Sequence, residues 1–217
     1  MGTVTIAATY GAGGSVIGPA VAQRLGLPLI ERAIPVAVAE KIDAPLESAL
    51  AEDLEHTSRV GRVLDNVLIG SGLFVGVPAS PEELGALPDI EKTEAILRRL
   101  ADTTGAVILG RAGVFVLQGR RDVLHVRLDG DAGARSRAAV NRFKIDLNTA
   151  SRQQRQTDRA RAAYIQHYYP RAGAWNDPRH YHVVLDSTSI SHDACVEIIV
   201  RAAQDLFHAS LDSQGRA

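Results

Sequence analysis

Residues 3–26 constrain the chain more than any other stretch. Thr3-Val4-Thr5-Ile6-Ala7-Ala8 is a short run rich in β-branched residues, and it stops at Thr9-Tyr10-Gly11-Ala12-Gly13-Gly14. Beyond the turn, Val16, Ile17, Ala20, Val21 and Leu25 recur at helical spacing, and Gly26 stands where a helix C-terminus favours glycine. The order read from these residues is buried strand, glycine turn, helix.

The alternation continues down the chain. A short strand is expected over 27–30, and helical patterning covers 33–41 and 46–68. The stretch 70–88 holds several Gly and Pro and reads as a loop. Asp89 suits the N-cap of a helix running to about residue 103. Ala106-Val107-Ile108-Leu109 is a continuous apolar strand closed by the turn Gly110-Arg111-Ala112-Gly113. Over 123–128, His125 and Arg127 alternate with Leu124, Val126 and Leu128, which predicts another strand. Arginine-rich helices are expected over 131–143 and 149–167, a late strand over 183–185, and an amphipathic helix over 193–206. Strands alternating with helices predict an α/β fold, a mostly parallel sheet with helices on both faces. The reading is one domain over 1–208, with a helical insertion near 35–90, a lid near 140–160 and a frayed tail over 209–217.

Composition narrows the function classes. The chain has 217 residues, of which 46% are hydrophobic and 23% charged, so disorder, collagen and coiled coil are excluded. Aromatics are only 5%, which leaves a core of Ala, Val, Leu and Ile. Lys+Arg is 24 against Asp+Glu 25, a net charge of -1, which argues against a wholesale grip on nucleic acid or an anionic membrane. The single Cys195 makes neither an internal disulfide nor a Cys-built zinc site. With no leader pattern at the start and no apolar run near 18 residues, a soluble cytoplasmic protein is expected.

Three features carry chemistry. Backbone N–H groups of a glycine turn at a helix N-terminus make a positively polarised cradle for phosphate. Against the phosphate-loop pattern G-x-x-x-x-G-K-[ST], the stretch Ala8 to Ser15 has Ala8 at the first glycine and Gly14 at the lysine, while Ser15 keeps the hydroxyl that would meet Mg²⁺. The same turn also serves as plain packing punctuation. A dinucleotide fingerprint fits less well, because Val16 stands where its third glycine belongs. Gly110-Arg111 comes just past a buried strand, where open α/β sheets bind ligands, and a guanidinium there suits a phosphate or a pyrimidine carbonyl; the alternative is a solvated turn.

The third feature is the arginine cluster. Arg135, Arg137 and Arg142 share one helix, and Arg152, Arg155 and Arg159 recur along one face of the next, with Lys144 and Asp146 between them. Two cationic helices of this kind are able to close over a polyphosphate, although a solvated face is the common reading of a charge run. Other residues are read as structural. His180 and His182 alternate without a metal-completing partner, Tyr164, Tyr168, Tyr169 and Trp175 are expected to pack the last helix on the sheet, and Cys195 is expected to be buried. Ser187-Thr188-Ser189 lacks a hydrolase context.

With these pieces in order, the chain resembles the cytidylate kinase-like family of P-loop kinases. The likeness rests on Tyr10-Gly11-Ala12-Gly13-Gly14, Ile17-Gly18, Val21 to Gly26, Pro28-Leu29-Ile30-Glu31-Arg32, Val107 to Arg111, and Thr157 to Arg161 with Tyr164, Trp175, Asp177, Tyr181 and Asp186. It runs over about residues 3–206 and is weakest over 45–90. The resemblance implies a P-loop kinase fold with a parallel five-stranded sheet, an inserted acceptor lobe and an arginine lid. It implies transfer of the γ-phosphoryl of ATP, with Mg²⁺, to a nucleoside monophosphate such as CMP or dCMP. On that basis Tyr10 and the amides of Gly11, Ala12, Gly13, Gly14 and Ser15 hold the nucleotide, and Ser15 helps hold the metal. Arg111, Glu31 and Arg32 bind the acceptor; Arg155 and Arg159 come down from the lid, with Asp158 orienting one of them. Arg142 or Lys144 stands in for the lysine missing at Gly14, an absence that is itself a family trait. Ala8, Thr9 and Ser15 depart from positions where the family often holds charge. Two other readings stay open, a kinase of another small metabolite and a nucleotide-binding module without catalysis. Pairing of helix 46–68 with a second copy, a homodimer, is open as well.

Overall fold

The computed structural model describes residues 2–31, 89–110 and 112–214. The helices expected over 33–41 and 46–68, the loop over 70–88, Arg32 and Arg111 lie outside the described residues. So does any pairing of helix 46–68 with a copy of itself.

The first strand, β1, is Thr3–Ala8, and it leads through the glycine turn into α1, Gly14–Leu25. Next come β2 (Leu29–Glu31), α2 (Asp89–Asp102), β3 (Val107–Leu109), the short α3 (Gly113–Val116) and β4 (Val123–Asp129). The helical hairpin α4 (Ala132–Phe143) and α5 (Leu147–Tyr168) precedes β5 (Val183–Asp186) and α6 (His192–Gln214). All five strands are parallel, in the order β2-β3-β1-β4-β5. β1 is therefore central, and its glycine turn opens at the carboxyl edge of the sheet, flanked by the ends of β3 and β4. That edge is where open α/β sheets place their ligands. No described helix is long and apolar enough to cross a membrane.

Pleating sends alternate residues of β1 and β4 to opposite faces. On one face Val4, Ile6, Leu124, Val126 and Leu128 pack with Ile17 and Val21 of α1 and with Cys195, Ile199 and Ala203 of α6. Each fully buried isoleucine there contributes about 2 kcal/mol. On the other face Ala7 and Val123 pack with α2, α3, Tyr164 and Ile165 of α5, Trp175 and Tyr181. The aromatic residues thus pack α5 against the face opposite the last helix, not the last helix itself. On the α6 side, Cys195, Ile199 and Ala203 pack with Ile17 and Val21 of α1 in their place.

Two elements exceed their sequence reading. The turn after β3 continues into α3, and Gly113 at its start fits tightly, its ideal Cβ position lying 3.2 Å from Ile108 and Thr5. The last helix runs past residue 206 to Gln214. The Phe207 ring covers Gly2 at the start of the chain, and the Ser210 hydroxyl donates to the Phe207 carbonyl at 2.9 Å. Residues 215–217 lie outside the described residues.

The α5-facing side of β1 and β4 is polar where it runs toward the site. Thr5 and His125 are register partners, and Thr5 Oγ1 meets His125 Nδ1 at 2.7 Å. The exposed His182 ring stacks on His125 at 5.2 Å, and His182 Nδ1 accepts from the His125 amide. Burial first, and the neighbouring His182 second, lower the His125 pKa to about 4. The unfolded chain takes up this proton near 6.5 and the folded chain only near 4, so stability from His125 is complete above about pH 6.5 and is lost as pH falls towards 4. The full loss is about 3 kcal/mol. Urea unfolding between pH 7 and 4 is expected to show this slope, and His125→Gln to remove it; an unchanged slope in the variant would place the titration elsewhere.

Candidate active site

The turn after β1 is built to leave amides open. Gly11 and Gly13 adopt left-handed backbone, φ 80° and 72°, which a residue with a Cβ adopts only at a cost. Gly13 caps α1 with no side-chain bond, and its carbonyl accepts from Val16 and Ile17. The amides of Gly11, Gly13, Gly14 and Ser15 have no partner among the described residues. Four open donors at a helix N-terminus form a concave, positively polarised cradle that fits a phosphate chain. Ser187, buried after β5, donates to Ala12 O at 2.7 Å, and Thr9 Oγ1 donates to Asp129 at 2.9 Å, so the turn is tied to the ends of β5 and β4. The position of the absent lysine has a packing cause: an ideal Cβ on Gly14 would stand 2.7 Å from Ala8 Cβ and 3.3 Å from Leu109.

The lid reaches the cradle through Asp158. Its Oδ1 accepts from the Tyr10 amide at 3.1 Å, and its Oδ2 accepts from Arg135 Nη1 at 2.8 Å. The same Arg135 nitrogen donates to Tyr10 O, and Arg135 Nε donates to Gly130 O. Arg161 donates to Ala8 O at 2.6 Å and lies 3.7 Å from Asp158. Tyr10 completes the join, its hydroxyl donating to Gln153 and its ring lying 5.9 Å from Phe143. Asp158 thus orients Arg135 and Arg161 and fixes the turn, in place of the expected orientation of Arg155 or Arg159.

Arg155 and Arg159 project from the same helix into a cleft of about 430 Å³ beside the turn. Neither has an ion pair or hydrogen bond among the described residues. Trp175 and Arg127 form another part of its wall. Arg127 is 3% exposed, its guanidinium stacks 4.3 Å from the Trp175 ring, and its Nε and Nη2 donate to Asp129 Oδ2. Burial works to raise the Asp129 pKa, but hydrogen bonds from Arg127 and Thr9 with the Arg127 charge hold it below the usual carboxylate range.

Glu31 ends β2, level with Leu109 of β3. Arg142 does not line the cleft; its guanidinium lies 5.7 Å from the Phe143 ring at the end of α4. Lys144, with φ 57°, caps that helix. For Mg²⁺, the described residues offer the Ser15 hydroxyl, while Asp129 and Asp158 are engaged by arginines and no cluster of three His, Cys, Asp or Glu exists among them. That donor set fits an ion carried in on nucleotide phosphates with its own waters.

The sequence profile of the cytidylate kinase-like family matches residues 3–189. The chain belongs to that family. No curated protein sequence matches it closely enough to count as a relative. Among solved structures, an uncharacterized protein from Eubacterium ventriosum ATCC 27560 has a TM-score of 0.63 at 17% identity, over 94% of this chain and 99% of that one. A gluconokinase from Sinorhizobium meliloti 1021 has a TM-score of 0.48 at 16% identity, over 96% of this chain and 97% of that one. The cytidylate kinase-like chain has the P-loop kinase fold, a nucleotide-binding, phosphotransferase-type scaffold. Its sequence reading missed Arg127 and Ser187, and it put Arg135 in the arginine cluster without finding its tie to Asp158 and the turn. Arg127 did leave a signal, since a guanidinium amid the apolar residues of a central strand must have a reason to be there. Ser187 left none, because its partners are the backbone carbonyls of Ala12 and Asp129.

Proposed function

We propose that this cytidylate kinase-like protein transfers the γ-phosphoryl group of Mg·ATP to a nucleoside monophosphate, CMP or dCMP first. The observation that carries the reading is the pair Arg155 and Arg159, two cations without counter-ions among the described residues, lining a cleft beside an open amide cradle. Bound Mg·ATP supplies the activated phosphoryl group and a divalent charge on its phosphates. An oxygen of the acceptor phosphate forms the new bond to the γ-phosphorus as the bond from that phosphorus to its β-bridging oxygen breaks, giving a diphosphate and ADP. The acceptor oxygen is already anionic, so the protein needs no strong base, and positioning with charge neutralisation carries the rate.

The open amides of Gly11, Gly13, Gly14 and Ser15 receive the donor phosphates, and the Ser15 hydroxyl meets the metal. Arg155 and Arg159 neutralise charge on the acceptor phosphate and on the group transferred to it, the work a loop lysine does elsewhere. Glu31, Arg32 and Arg111 are assigned to the acceptor side. Arg159→Ala and Arg111→Ala are each expected to lower kcat/KM for CMP at least about tenfold, or roughly 1.4 kcal/mol of transition-state stabilisation. ADP release followed in a coupled assay reads this, and wild-type rates from both variants would remove these roles. Binding of a non-hydrolysable ATP analogue without ADP release on any nucleoside monophosphate would instead favour a non-catalytic nucleotide-binding module.

A further inference from the structure

Arg127 holds a donor that the fold leaves unused. Its Nη1 is buried without a hydrogen-bond partner among the described residues, although Nε and Nη2 are satisfied by Asp129. An unmade bond on a buried charged donor costs about 1–3 kcal/mol, and native chains keep such groups where something else fills them. The residue lines the cleft, and it pairs in register with Ala7, two residues before the glycine turn begins to bend at Thr9. Whatever Nη1 binds is therefore close to the phosphate cradle.

The charge of the cleft says what that is. Asp129 is engaged by Arg127 and Asp158 by Arg135, while Arg155 and Arg159 have no counter-ion among the described residues. Two uncompensated positive charges match a phosphate monoester, which carries about −1.5 to −2 at pH 7. A hydroxyl or a base carbonyl would leave both unpaired.

We propose that Arg127 is a specificity-determining residue of the acceptor subsite, its Nη1 donating to an oxygen of the acceptor's phosphate against Trp175. This deepens the phosphoryl-transfer reading and rests on it for where the donor binds. The stacked indole covers the guanidinium, so a ligand oxygen reaches Nη1 as the ring shifts. Trp175 is the chain's one tryptophan, which makes its fluorescence a local reporter of this cleft.

The experiment titrates the full chain with CMP, ribose 5-phosphate, inorganic phosphate and cytidine, reading tryptophan fluorescence. CMP and ribose 5-phosphate are expected to give saturable changes and cytidine none. Arg127→Lys, which keeps the charge and loses the planar fork, is expected to weaken CMP at least tenfold while calorimetry finds affinity for a non-hydrolysable ATP analogue within twofold of wild type. Silence towards every phosphate, a cytidine response equal to that of CMP, or wild-type CMP affinity in the variant overturns the proposal. Should the variant not fold, the Arg127 guanidinium resonances of the wild type decide, moving with ribose 5-phosphate or refuting the contact by staying still. The two readings fail separately. A fluorescence response without any ADP release removes the transfer reaction and keeps the subsite, whereas undiminished CMP turnover by Arg127→Lys removes the subsite and keeps the reaction.

Discussion

Asp158→Ala is expected to destabilise the protein by about 3 kcal/mol and to uncouple the lid from the glycine turn. The carboxylate serves the Tyr10 amide and the Arg135 guanidinium and lies near Arg161, and both arginines are buried. Without it, the buried Arg135 loses its 2.8 Å carboxylate partner and keeps only Asp129, 3.8 Å from its Nε, and the Tyr10 amide loses its acceptor. In a chain of this size the loss is roughly 10 °C in Tm. Calorimetric unfolding measures it. Asp158→Asn keeps an acceptor for the amide and forfeits the charge, so it should fall between the two. A Tm for Asp158→Ala within a degree of wild type would mean that the ion pairs contribute nothing and that the turn is held from the β5 side alone.

Gly11→Ala is expected to cost about 3 kcal/mol or more and to abolish nucleotide-analogue binding. The residue has φ 80°, and an ideal Cβ would overlap the Arg135 carbonyl oxygen, which is backbone and cannot step aside. A left-handed alanine alone costs about 1–2 kcal/mol. Gly119, with the same φ of 80° and nothing within 4 Å of its would-be Cβ, isolates that backbone cost. Gly119→Ala should therefore lose about 1 kcal/mol and bind the analogue normally. Equal losses from the two substitutions, measured by urea unfolding, would show that the Arg135 contact plays no part.

How much of this was legible depends on the range of the interaction. The strands were readable because pleating and two-sided burial leave apolar runs such as Val107-Ile108-Leu109 and the alternation of Leu124, Val126 and Leu128. The cradle was readable because left-handed backbone at Gly11 and Gly13 demands glycine. Arg155 and Arg159 emerged from helical spacing and do share the cleft. Arg142, on the same argument, does not, since periodicity gives a face of a helix and not how far along it the cleft extends. The partners of Asp158 were out of reach. It meets Tyr10 across 148 positions and Arg135 across 23, and no local pattern encodes either. The same holds for Ser187 and Ala12, which are 175 positions apart.

The crowding around Gly14 has a bearing on water. Most phosphate loops of this fold carry their own cation, so the donor nucleotide is activated as soon as it docks. Here Ala8 and Leu109 close that position, and among the described residues Arg155 and Arg159 of α5 line the cleft without counter-ions. On the proposed reaction, the activating charges stand on the cleft side of the phosphates, on a helix already tied to the turn by Asp158, and the loop supplies none of its own. The choice between water and acceptor is then made in the cleft, where the charge is, and not at the turn.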